Sequence, residues 1–253
     1  MKQLLTYITC LLWIWAPLLQ SAPLSVFLGG GVITESSPPP VVSTNISFTS
    51  STTGNFSGTT SPNISYPETL ENDILIVVLA GDTATSSSGT PPTGWTKLNQ
   101  VEHGTTGTIH IFWKRAAVTP VTSEVWTNLL STATTGIFAA LGYRGCITTD
   151  SPIDVGLTGS QSGSISWSTG SITTTGTDRM AIGIFGGDLA SGISFTWGAG
   201  ITERIDYNNN GFGALTIGDI LVPAAGSVTM TTAPTISTTG ARAIYALKPI
   251  PAS

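Results

Sequence analysis

The sequence predicts an all-β protein: an antiparallel two-sheet sandwich, jelly-roll-like, built from two similar halves behind an extended N-terminal arm. Three observations predict it. The chain repeats itself, with Thr53-Gly54-x-x-Ser57-Gly58 returning as Thr158-Gly159-x-x-Ser162-Gly163, an offset of 105 residues (54 to 159). Short β-favouring runs are broken at regular intervals by Gly, Pro, Asn and Ser. Charged residues make up only 9% of the chain, against roughly 25% in an ordinary soluble domain. Thr, Ser and Gly replace the straight-chain residues that favour helices.

The first element is residues 1–28. Met1-Lys2-Gln3 leads into an apolar stretch from Leu4 to Leu19, and Gln20-Ser21-Ala22 follows. Three readings stand for it: a secretory signal, a retained apolar arm that docks into an assembly, or a membrane anchor. Pro17 interrupts the run and Pro23 follows the small residues, which speaks against a spanning helix and against cleavage at Ala22. Residues 29–43 hold Gly29-Gly30-Gly31 and Pro38-Pro39-Pro40, a Gly/Pro/Ser linker that is free at one end and stiff at the other.

Residues 44–253 form the sandwich, as two pseudo-repeats of about 44–148 and 149–253. Ile74 to Leu79 is continuously apolar and predicts a central strand buried on both faces. Thr108 to Lys114 places Ile109, Ile111 and Trp113 on one face, with His110 and Phe112 on the other. Ile137–Tyr143, Met180–Phe185, Leu215–Leu221 and Arg242–Leu247 are the other strong strands. Gly104-Thr105-Thr106-Gly107 and Asn208-Asn209-Asn210-Gly211 predict matching hairpin turns. The repeat aligns Asp73 with Asp178, Gly94-Trp95-Thr96 with Gly200-Ile201-Thr202, Thr134-Thr135-Gly136 with Thr238-Thr239-Gly240, and Tyr143 with Tyr245. The join from Cys146 to Thr158 is short and reads as packed, which favours one sandwich over two tandem small ones. Cys146 itself reads as a small buried hydrophobe.

Asn72-Asp73-Ile74-Leu75-Ile76, Pro91-Pro92-Thr93-Gly94-Trp95-Thr96, Phe112-Trp113-Lys114-Arg115-Ala116 and Gly142-Tyr143-Arg144-Gly145 together resemble a family of bacteriophage structural or tail-associated proteins. The resemblance spans about residues 60–155. It implies a jelly-roll or lectin-like sandwich on a particle or cell surface, and no catalytic motif.

Net charge is −5 and the nine Lys and Arg residues are scattered singly, which argues against a nucleic-acid partner. The two histidines, His103 and His110, lack further metal ligands at useful spacing, and both read as turn or solvent-facing residues. No G-x-S-x-G elbow or phosphate-binding glycine loop is present. Asp82, Glu102, Asp150, Asp154, Asp188, Glu203, Asp206 and Asp219 could serve a glycan hydrolase only if two converged across a groove. Asp82 and Asp188 read as turn formers. Asn45, Asn55 and Asn63 each begin an N-x-Ser sequon, which matters only on a eukaryotic secretory route. No cofactor is expected.

Aromatic and amide side chains are the better candidates. Trp167 and Trp197 lie among Ser, Gly and Thr, and Tyr207-Asn208-Asn209-Asn210 places one ring and three amides at an expected loop tip. These six residues are the expected ligand-binding set, with sheet packing as the competing role for each tryptophan.

These readings lead to a non-enzymatic virion structural protein: a capsid decoration, head fibre or tail component. Its arm would bind other virion proteins, its body would form a homo-oligomer such as a trimer, and a host-surface glycan would be its ligand. The alternative is a secreted bacterial carbohydrate-binding or adhesion module with a cleaved signal peptide.

Overall fold

A computed structural model describes residues 45–81, 89–103, 107–187, 192–209 and 213–251. The expected arm (1–28), the linker (29–43) and the residues Asp82, Asp188 and Asn210 lie outside the described residues. Every regular element among those described is a strand. The first repeat holds β1 (Ser47–Thr59), β2 (Asn63–Ser65), β3 (Ile74–Gly81), β4 (Thr96–His103), β5 (Gly107–Arg115), β6 (Ser123–Val125) and β7 (Thr134–Arg144). The second holds β8 (Ile153–Ser164), β9 (Trp167–Thr173), β10 (Arg179–Gly187), β11 (Phe195–Trp197), β12 (Thr202–Asn209), β13 (Gly213–Val222), β14 (Ser227–Pro234) and β15 (Thr238–Leu247).

Each repeat builds the same antiparallel five-stranded sheet. Its order is β1-β7-β3-β5-β4 in the first and β8-β15-β10-β13-β12 in the second. Both hairpins expected from the turn signals form, β4 with β5 and β12 with β13. Even the irregularities repeat: β4 bulges at Leu98 and β12 at Arg204, each between otherwise regular pairs. A second pair of bulges falls at Ser57-Gly58 and Ser162-Gly163. The most conspicuous motif of the sequence repeat therefore marks a bend in each edge strand.

The ladders also correct the sequence alignment. Trp113 pairs with Thr96 and Ile76, while Asp219 pairs with Thr202 and Ile182, so Ile76 corresponds to Ile182. Asp73 then corresponds to Arg179, not to Asp178. The true counterpart of Asp178 is Asn72, and both adopt the left-handed conformation (φ 58° and 69°) that Asn and Asp tolerate. Tyr143 is likewise not the counterpart of Tyr245. Ile76 pairs with Leu141 and Ile182 with Tyr245, so the two tyrosines sit two residues apart on the same face.

The two five-stranded sheets stack face to face. Ile74, Ile76, Val78, Ile109, Ile111, Ile137 and Leu141 from one meet Met180, Ile182, Ile184, Leu215, Ile217 and Leu247 from the other in one buried cluster. β3 meets β10, β4 lies against β8, and β1 lies against β12. Exchanging the halves reproduces these contacts, which is isologous packing within a single chain. Residues 41–253 accordingly form one compact unit. Polar groups bridge the halves too: Tyr143 Oη donates to Asp219 Oδ2 (3.2 Å), and Asn99 Nδ2 donates to Thr158 Oγ1 (3.0 Å). The Arg204 guanidinium donates to the same Asp219 oxygen (2.8 Å) and stacks 4.5 Å from the Phe48 ring centroid.

The expected two-sheet sandwich is present, and the outer face of each large sheet carries a further cover. Leu75, Val77, Leu79, Phe112 and Phe138 face away from the central core, and Ile64, Tyr66, Trp95, Trp126 and Leu129 cover them. The small β2–β6 sheet belongs to this cover, and β11-β14-β9 covers the second half in the same way. The physical reason is legible in β3, whose eight residues are all buried. A strand apolar on both faces needs a layer on each.

The join between repeats is packed as expected. Cys146 is 1% exposed, and burial raises its thiol pKa to about 12. Ile147 and Lys248 are tied by a backbone bond of 2.9 Å, and Arg115 Nη1 donates to Ile147 O (2.6 Å).

Candidate ligand-binding face

Trp167 does not present a ring to solvent. It is fully buried, its centroid 5.6 Å from Phe185 and 5.7 Å from Phe195, and its Nε1 donates to Ser164 O (3.1 Å). Its ring lies on Gly240, where an added Cβ would stand 2.7 Å from Cη2. Trp197 is partly buried and packs between Gly218, Gly183 and Phe185, with Nε1 donating to Thr216 Oγ1 (2.9 Å). Both tryptophans hold the outer sheet of the second half onto β10 and β13. Trp167 is thereby a packing residue and not a ligand platform, because a fully buried ring cannot also stack a sugar; Trp197 packs in the same way but keeps part of its surface exposed.

Tyr207, Asn208 and Asn209 are brought together, but as the last residues of β12 and not as a loop tip. Asn208 pairs with Ala214 and Asn209 with Gly213. The Asn208 amide holds the neighbouring connection, donating to Ile193 O (3.3 Å) and accepting from Gly192 N (3.4 Å). Asn209 Nδ2 donates to the Tyr207 hydroxyl (3.2 Å), and the Tyr207 ring packs against the central core. These amides brace the end of the hairpin.

The carboxylates are spent similarly. Asp73 takes a two-point ion pair from Arg144 (2.9 and 2.8 Å) and also accepts from Leu70 N (2.8 Å). Asp219 holds Arg204 and Tyr143 between the sheets. Asp154 pairs with Arg179 (3.3 Å) and accepts from Thr175 N (2.8 Å). Thr175 and Arg179 hold its carboxyl below the usual range against the opposing effect of burial. His110 departs from its expected solvent-facing place. It is 2% exposed on the outer face of β5, its Nδ1 has no hydrogen-bond partner among the described residues, and burial, with Lys97 nearby, lowers its pKa to about 3. No cluster of three metal-ligating side chains occurs among the described residues.

One side chain stands out when the two halves are superimposed through their ladders. Phe138 pairs with Gly54 in the first half, and Arg242 pairs with Gly159 in the second. The Phe138 ring lies over Gly54, where a Cβ would meet Cε1 and Cζ at 2.6 Å. The Arg242 guanidinium lies over Gly159 in the same way, Nε at 3.3 Å and Nη2 at 3.7 Å from the position a Cβ would take. Each glycine opens a slot in the edge strand for a flat group. The first half fills it with a ring, the second with a cation.

Arg242 Nη1 donates to Ser168 O on β9 and to Gln161 Oε1 on β8 (3.5 Å). Its Nε is enclosed without a partner among the described residues. Arg144, Arg179 and Arg204 each pair with an aspartate; Arg242 pairs with no carboxylate among the described residues, and neither does Arg115, whose guanidinium is spent on the Ile147 and Asp150 carbonyls. Leu157, 39% exposed, stands beside it against Gly170 of β9. Sequence reading passed over Arg242 because it lies inside an apolar strand. The signal was the Phe138–Arg242 exchange: the Thr-Thr-Gly match already sets the two residues opposite one another, and the ladders place them over equivalent glycines. No family model, curated protein or solved structure matches the chain.

Proposed function

We propose that the chain is a non-enzymatic structural protein of a virion surface, a capsid decoration, head fibre or tail component. In this reading residues 1–28 attach it to other virion proteins, and the body is displayed as a homo-oligomer that meets a host-surface glycan. The observation that carries the reading is the fusion of two like halves through one shared core. Its buried aspartates Asp73, Asp154 and Asp219 are each held in an ion pair, and its edge strands β1 and β8 are Ser, Thr and Gly with little charge. Such a body, poor in charge along both edges, suits display. The phage-like signatures of the first repeat support the same placement. In the structure they are the start of β3, the turn before β4, the end of β5 and the end of β7.

Mass spectrometry of the N-terminus of the native protein tests the reading. An intact Met1-Lys2-Gln3 peptide from purified particles is the expected result. A mature start between Ala16 and Pro23 overturns it in favour of a secreted carbohydrate-binding or adhesion module.

A further inference from the structure

We infer that Arg242, in the trough between edge strand β8 and the outer strand β9, is a recognition site for a carboxylate-bearing sugar. The first half is the internal control. At the equivalent place the fold accepts Phe138, so the slot over the edge-strand glycine does not require a charge. A partly buried guanidinium without a carboxylate bears a desolvation cost that a ring avoids. The second half bears that cost, and its other partly buried arginines, Arg179 and Arg204, are each neutralised by aspartate.

The donors remaining on Arg242 suit an acid. Nη1 is occupied by Ser168 O and Gln161 Oε1, while Nη2 donates to nothing among the described residues. Guanidinium matches a carboxylate better than any other side-chain cation, through charge-assisted bonds of fixed geometry. Gln161 Nε2, bonded to Ser162 O at 3.3 Å, keeps a second N–H for the same ligand. The rim explains why the acid would belong to a sugar. Leu157 supplies an exposed apolar surface for the C–H face of a ring, and the Gln161 amide lies on the same face of the same edge strand, two residues beyond Gly159. Uronic acids and nine-carbon sugar acids are the matching classes. The inference names a ligand for the displayed body and does not depend on whether the N-terminal segment is retained.

The test titrates the full chain with methyl glucuronide, methyl glucoside and N-acetyl-aspartate amide, followed by ligand-observed NMR. Binding of the glucuronide alone, weakened about tenfold or more in R242F and R242Q, is the expected result. R242F installs the residue the first half already carries, so its melting temperature should match or exceed the wild type. R242Q keeps a donor for Ser168 O should the ring pack poorly. Equal binding of the neutral glucoside, binding of the aspartate amide in place of the sugar, glucuronide binding that survives both substitutions, or no binding at all would each overturn the proposal. None of those outcomes bears on the N-terminal measurement, so the two readings fail separately.

Discussion

Ile111→Ala tests whether the two repeats are one folding unit. Ile111 is fully buried in the middle of β5, on the face that meets the second half. Truncation removes its contacts with both sheets, and for a buried Ile→Ala change the cost is about 2–5 kcal/mol, with the spread set by how far the site collapses. If the shared cluster makes the halves unfold together, that loss lowers the free energy of a single global opening. Amides of β3 and β7 in the first half, and of β10, β13 and β15 in the second, should then exchange faster by the same factor. A tenfold change corresponds to about 1.4 kcal/mol, so the factor lies between about 30 and about 4,000. Hydrogen exchange read by mass spectrometry, peptide by peptide, resolves both halves in one experiment. Acceleration confined to β3, β5 and β7, with β10 and β15 unchanged, would refute a single cooperative core and leave two sandwiches that merely touch.

Three further outcomes follow from the same geometry. Gly136→Ala should destabilise by about 3 kcal/mol or more in urea unfolding, because its Cβ would overlap the Ala80 carbonyl and stand 2.6 Å from the Phe56 ring, and backbone cannot yield as a side chain can. Gly240→Ala should do likewise against Trp167 and the Gly186 carbonyl, and mild effects at both would sink this account of the Thr-Thr-Gly motif. His110, whose folded pKa is depressed to about 3, leaves the unfolded chain to take up the proton first as pH falls through about 6.5. Stability should therefore fall from about pH 6.5 downward, by up to roughly 1.4 kcal/mol per pH unit until the folded pKa is reached. His110→Leu should flatten the thermal-melt profile between pH 6.5 and 5, and an unchanged slope would show that another group sets it.

The sequence carried most of the strand positions. Continuous apolar runs gave β3, β5, β7, β10, β13 and β15 to within a few residues, because a strand buried on both faces needs such a run. The Ser/Thr-rich strands β1, β8, β9 and β14 left weaker traces, and the three-residue strands β2, β6 and β11 left none that periodicity detects. Of the expected ligand-binding residues, composition suggested exposure for Trp167 and Trp197. The rings pack instead on glycines remote in sequence, Gly240 for Trp167 and Gly183 and Gly218 for Trp197. Asn208 and Asn209 looked like a turn because an Asn run before Gly is a turn signal, yet the strand continues through both.

By itself, then, the sequence determined an all-β chain, a duplication with a period near 105 residues, and the apolar runs that become the central strands. Composition and local pattern are sufficient for these because they depend only on neighbours along the chain. Register, layering and the fate of single side chains were decided by tertiary structure. A one-residue shift turns a side chain to the opposite face, which is why Asp73 was matched with Asp178 when the ladder matches it with Arg179. The exchange of Phe138 for Arg242 needed no such shift, since Thr134-Thr135-Gly136 and Thr238-Thr239-Gly240 already align the two at an offset of 104 (138 to 242). Their shared place over an edge-strand glycine, Gly54 or Gly159, appears only when both sheets are laid over one another, strand by strand.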